Sequence, residues 1–136
     1  MPRVPVPPDV SEFLAQPNPA VVATLRRDGS PHTAATWYDW DDGRVLLNMD
    51  ASRLRLAHMR RDPQVSLTAI DLEDWYRQVS LMGRVVSIEE DPELVDIDRL
   101  ALRYTGRPFR NRSRKSVSAW FEPERWYGWI DAGPWR

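Results

Sequence analysis

The chain has 136 residues, 42% of them hydrophobic and 29% charged, with a formal net charge of −1. That describes one domain able to close a core without staples, and a near-zero charge excludes a surface that traps nucleic acid by electrostatics alone. Cysteine is absent, which removes disulfide scaffolds, thiol nucleophiles, thiolate zinc sites and iron–sulfur clusters.

Residues 1–8 place prolines where a secretory signal needs a continuous apolar run, and no stretch approaches membrane-spanning length. The expectation is a cytoplasmic protein with no membrane partner. Residues 9–16 predict a short helix, stopped by Pro17 and Pro19. Residues 20–25 and 32–40 are β-rich runs around Asp28-Gly29, a strong hairpin signal, and Asp41-Asp42-Gly43 turns the chain into a further strand at 44–49. A short basic element follows at 52–63, closed by Asp62-Pro63. Strands are predicted at 64–70 and 76–88, the second bending at Gly83. Asp91-Pro92 supplies a cap and first-turn proline for a helix in which Leu94, Ile97, Ala101 and Tyr104 recur at helical spacing as far as Gly106. Residues 107–115 read as a mobile basic loop, and 117–121 and 126–130 as two closing strands. Residues 1–136 therefore form a single α+β domain, mainly β: an antiparallel barrel of six to seven strands with short peripheral helices, its closure removing edge strands.

Common catalytic motifs are missing. The six glycines never form G-x-G-x-x-G or a Walker loop, and there is no G-x-S-x-G elbow. His32 and His58, the only imidazoles, lack metal-binding spacing, so no metal site is expected. An enzyme built this way leaves the hard chemistry to a bound cofactor.

The segment around residue 52 is the best candidate for holding one. An apolar strand delivers the backbone to a polar turn, and the next element opens with Ser52, Arg53 and Arg55, so backbone N–H groups and two guanidinium groups can converge on a phosphate. Residues two apart on a helix diverge by about 200°, so this requires the helix to begin after Arg53. The competing reading is a solvated amphipathic linker, since Lys115 is the only lysine and arginine is general throughout. Seven tryptophans exceed ordinary core needs. Trp37 and Tyr38 on opposite faces of one strand, and Trp75-Tyr76 in a loop, include candidates to flank a planar ring.

Taken together, Asp28-Gly29 with Pro31, the Trp37–Asp41 run, the Ser52 to Pro63 segment, Val65-Ser66-Leu67, Gly83-Arg84-Val85 and the 123–128 segment resemble the pyridoxamine 5′-phosphate oxidase-like proteins, of FMN-binding split β-barrel type. Within that superfamily the chain is most similar to the actinobacterial branch using the deazaflavin coenzyme F-420. The resemblance implies a homodimer with two cofactor sites at its interface. It places the phosphate on Ser52, Arg53 and Arg55, the linker along Asn48 and Met49, and the ring edge on the strand backbone of Thr33, Ala34, Ala35 and Thr36, with Trp75 and Arg77 closing the site. Arg55 stands where the family commonly has lysine. The implied chemistry is hydride transfer from reduced deazaflavin to an unsaturated or carbonyl-type small molecule, with a proton from solvent, Tyr38 or His32. Arg103, Arg107, Arg110, Arg112, Arg114 and Lys115 are candidates to contact the polyglutamate tail of F-420. The alternatives are an FMN-dependent oxidoreductase of the same superfamily, a non-catalytic cofactor carrier or sensor, and a single-strand nucleic-acid barrel, which the net charge disfavours.

Overall fold

The computed structural model describes residues 1–130. Its elements are α1 (Pro8–Leu14), β1 (Ala20–Leu25), β2 (Pro31–Thr36), β3 (Asp39–Asp41), β4 (Arg44–Asp50), α2 (Leu54–Arg61), β5 (Gln64–Ile70), β6 (Gln78–Glu90), α3 (Val95–Thr105) and β7 (Ser116–Trp129). All strand pairs are antiparallel, in the order β2-β1-β5-β6-β7-β4-β3. This is the expected mainly-β split barrel, with one correction. The sheet does not close, and β2 and β3 are its two edges.

Alternation on β1 and β5 sends Val22, Val65, Leu67 and Ala69 inward, where they meet Val79, Leu81 and Phe121. α1 adds Phe13 and Leu14, and α2 adds Leu56 and Met59. β4 is buried along almost its whole length. Val45, Leu47 and Met49 fill the main core, while Leu46 and Asn48 are buried on the other face, as are Ile97 and Leu100 of α3. That double burial explains why β4 reads as a continuous apolar run.

The long β6–β7 pair shifts register between Met82 and Gly83 and between Val85 and Ser87. These irregularities turn the corner of the sheet. A Cβ on Gly83 would lie 2.1 Å from the Glu122 carbonyl oxygen, so the close approach demands glycine. Pro123 lies opposite Gly83, in the bulge, where its missing N–H does not interrupt a regular ladder.

Four expectations need correction. The predicted strand at 32–40 breaks at Trp37-Tyr38: β2 pairs with β1 and β3 with β4, so two consecutive strands occupy opposite edges. The third helix begins at Val95, because Leu94 takes a left-handed conformation (φ 59°) and Asp91 reaches over that turn to accept from the Asp96 and Ile97 N–H groups, both at 3.1 Å. Residues 117–121 and 126–129 belong to one strand, β7, which ends at Trp129 and leaves Ile130 outside it. The 107–115 loop is tied down by Asp98, whose carboxylate accepts from Phe109 N at 2.9 Å and from two Arg112 nitrogens at 2.7 and 3.0 Å.

Candidate functional site

A cavity of about 910 Å³ opens where the ends of β1 and β2, the start of α2 and one face of α3 meet. α2 begins after Arg53, whose backbone is extended (φ −71°, ψ 136°). The turn before it is local: Asp50 accepts from the Ser52 N–H at 3.0 Å and the Ser52 hydroxyl at 2.5 Å. Arg53 can thus diverge from helical geometry, as two convergent arginines require.

Arg55 lines the cavity, half-buried, and has no hydrogen-bond or ion-pair partner among the described residues. Burial pushes its affinity for a proton below the usual arginine range, and the neighbouring Arg53 and Arg114 charges push the same way. Asn48 and Arg114 share this cationic end. An aromatic wall adjoins it. Trp37 stacks on Tyr104 at 5.4 Å and 8°, with Phe109 edge-on to Trp37 at 6.3 Å, and Ile97 and Leu100 extend the apolar surface. Asp71 and Glu73 line the cavity as well.

The other sequence-predicted residues are dispersed. Ala35 and Thr36 line the cavity at the end of β2, whose outer edge has no strand partner, while Thr33 and Ala34 lie further along that strand. The Met49 side chain is in the core, 1% exposed. Ser52 and Arg53 sit exposed on the turn beside the cavity. Trp75 is 69% exposed on the β5–β6 loop and does not line the cavity. Arg77 is occupied structurally: it pairs with Asp71 at 3.2 Å, donates to the Ile130 carbonyl at 3.0 Å and lies over the Phe13 ring.

Of the two candidate proton donors, the Tyr38 hydroxyl is buried in the core. It donates to the Leu14 carbonyl at 2.8 Å and accepts from Asn18 at 3.1 Å, and burial pushes its pKa up to about 12. His32 packs edge-on against His58 at 5.2 Å, away from the cavity lining. In the basic stretch, Arg103 is spent on the carbonyls of Leu14, Ala15, Gln16 and Tyr38, where it caps the C-terminal end of α1. Arg112 is spent on Asp98.

Sequence reasoning did not bring Trp37, Tyr104, Phe109 and Arg114 to one site. They come from a strand break, a helix and a loop far apart in sequence, and no spacing rule connects them. Among the described residues no group of three histidine, cysteine or acidic side chains could hold a metal, and no helix is long and apolar enough to cross a membrane.

Residues 6–130 match the pyridoxamine 5′-phosphate oxidase family. The chain belongs to that family. Among solved structures, an F-420 reductase superposes with a TM-score of 0.81 at 26% identity, covering 90% of this chain and 98% of the other. A conserved hypothetical protein of Mycobacterium tuberculosis gives 0.72 at 25% identity, covering 98% of this chain and 95% of that one. General stress protein 26 of Bacillus anthracis gives 0.66 at 21% identity over 88% and 89% of the two chains, and shares the fold. No match is found among curated proteins. Membership in the pyridoxamine 5′-phosphate oxidase family, with an F-420 reductase among its structural neighbours, supports an oxidoreductase of flavin-type cofactor.

Proposed function

We propose that this chain is an F-420-dependent oxidoreductase that reduces an unsaturated or carbonyl-type small molecule. The observation that carries the reading is Arg55: a partly buried guanidinium without a protein partner, facing a cavity of cofactor size. Likeness to an F-420 reductase adds to it. The residues fit a ring joined to a phosphate. Arg53 and Arg55 would hold the phosphate, the free edge of β2 at Ala35 and Thr36 would face the ring's polar edge, and Trp37 and Tyr104 would bound an apolar slot beside it. When bound and reduced, the deazaflavin supplies the hydride. The chain itself binds, orients and excludes water, which agrees with a cavity lacking a paired nucleophile and base.

The same reading extends to a homodimer. On the outer sheet face, Ala35, Val21, Thr68, Ser80 and Tyr127 lie in register across five strands, and Met82 lies in the neighbouring row. Val21 (43% exposed), Met82 (38%) and Tyr127 (46%) leave this face apolar and uncovered.

Fluorescence titration with F-420 and separately with FMN tests the cofactor. Micromolar or tighter F-420 binding, weakened at least tenfold in Arg55→Ala, is the expected outcome. Preference for FMN would move the protein to the flavin-dependent branch, and binding without turnover of any acceptor would make it a carrier.

A further inference from the structure

Behind the cavity, a buried polar spine ends on one side chain that neither spacing nor resemblance singled out for the phosphate. Arg114 closes the 107–115 loop just before β7. Its Nη2 donates to Asn48 Oδ1 at 3.2 Å, and its guanidinium lies over the Phe109 ring at 4.8 Å. Its Nε is buried and has no acceptor.

Asn48 is fully committed from behind. Its Nδ2 donates to Ser116 Oγ at 2.8 Å and Ser118 Oγ at 3.2 Å. Ser116 Oγ in turn donates to Asp91 Oδ2 at 2.8 Å, and Asp91 holds the first N–H groups of α3. The amide is therefore clamped by β7 and the α3 cap. Phe109 fixes the plane of the fork, and Arg112 with Asp98 fixes the loop that carries it.

This is extensive support for a guanidinium left with an orphaned N–H. The Arg114 side chain lines the cavity and only its Nη2 donates to a protein acceptor, so donor capacity is left over for a ligand there. The surrounding charge points the same way. Among the described residues no carboxylate lies within ion-pair distance of Arg53, Arg55 or Arg114, although Asp50 and Asp91 are near enough to favour the Arg114 charge. Three forks without an ion-pair partner among the described residues suit a phosphoryl group, whose several oxygens can each meet a separate arm, better than a single carboxylate.

We infer that Arg114 is a third anion-binding arm of this cavity, closing with Arg53 and Arg55 on a phosphoryl group, and that Asn48 is the positioning residue that aims it. The inference rests on the cofactor reading for the place of the phosphoryl group. It also moves Arg114 away from the tail-binding role that a mobile basic loop would have given it.

The test is calorimetric titration with inorganic phosphate, F-420 and FMN, using wild type, Arg114→Gln, Arg55→Gln and, as control on the exposed β1–β2 turn, Arg27→Gln, with the melting temperature of each unliganded protein recorded. The expected result is phosphate that competes with the bound cofactor, and a Kd for both raised about tenfold or more in Arg114→Gln at unchanged unliganded melting temperature. Arg27→Gln should match wild type. A wild-type Kd in Arg114→Gln, with Arg55→Gln still impaired, overturns the third arm and leaves the cofactor reading standing. Wild type that binds neither cofactor nor phosphate overturns both. Should Arg114→Gln fail to fold, Arg114→Lys keeps the charge but not the fork: several-fold weaker phosphate binding supports the inference, and unchanged binding overturns it.

Discussion

Gly83 shows how strictly one residue can be fixed by its surroundings. With the Glu122 carbonyl oxygen 2.1 Å from any Cβ, alanine must push two paired strands apart, and the obstacle is backbone that cannot rotate away. Gly83→Ala should lose about 2 kcal/mol or more in denaturant unfolding. Tyr38 is fixed differently. Its ring is wholly buried, and its hydroxyl links α1 to the turn at Asn18. Tyr38→Phe keeps the ring and strands Asn18 Nδ2 with one acceptor fewer, for an expected loss of about 1 kcal/mol. Because burial holds its pKa at about 12, the ultraviolet difference between wild type and Tyr38→Phe should show no phenolate through pH 10. A phenolate in that difference spectrum by pH 10 would contradict the burial.

At the scale of elements, α2 meets the β1–β2 hairpin through two imidazoles. His58 Nδ1 hydrogen-bonds the buried Thr24 hydroxyl at 2.9 Å and lies edge-on to His32, while Arg61 reaches the Leu25 carbonyl. Burial first, then the charges of His32, Arg61 and Arg26, depress the His58 pKa below its ordinary 6.5. A depressed histidine favours the fold above its unfolded pKa and withdraws that support as pH falls through the folded value. Hydrogen-exchange protection factors in β2 and α2, corrected for the intrinsic pH dependence of exchange, should therefore fall as pH drops below the ordinary histidine value of 6.5, and His58→Gln should flatten the response. The 107–115 loop makes a second case. Asp98→Asn removes the charge that holds Arg112, and trypsin should then cut within 107–115 faster than in wild type. Helix and strand positions were largely legible in the sequence because hydrophobic periods of 2 and 3.6 report burial directly. β5, for instance, coincides with its apolar run. The strand break at Trp37-Tyr38 was not legible, because β propensity continues through it. What stops the strand is tertiary: the Tyr38 N–H donates to the Tyr104 hydroxyl at 3.3 Å instead of to a sheet partner, and Arg103 Nε donates to the Tyr38 carbonyl at 2.9 Å. The candidate site was half legible for the same reason. Arg53 and Arg55 are neighbours in the chain, whereas Arg114 and the aromatic wall reach the cavity only through folding.

For the whole molecule, the uncovered sheet face sets the proposed assembly. Val21→Glu with Tyr127→Glu places two charges in one cross-strand row, and sedimentation equilibrium should show a dimer in wild type and a monomer in the double variant at an unchanged circular dichroism spectrum. A wild-type monomer would remove the dimer from the proposed function. The path of the chain between the two edges has a further effect. Thr36 ends β2 and Asp39 begins β3, so only three peptide steps, at most about 11 Å, join strands at opposite margins of the sheet. That bridge is a ruler cast into the backbone. However the walls breathe, the mouth beside Trp37 can gape no wider than the ruler permits, and lengthening it by a residue or two would be the most direct way to re-gauge the slot for a bulkier guest.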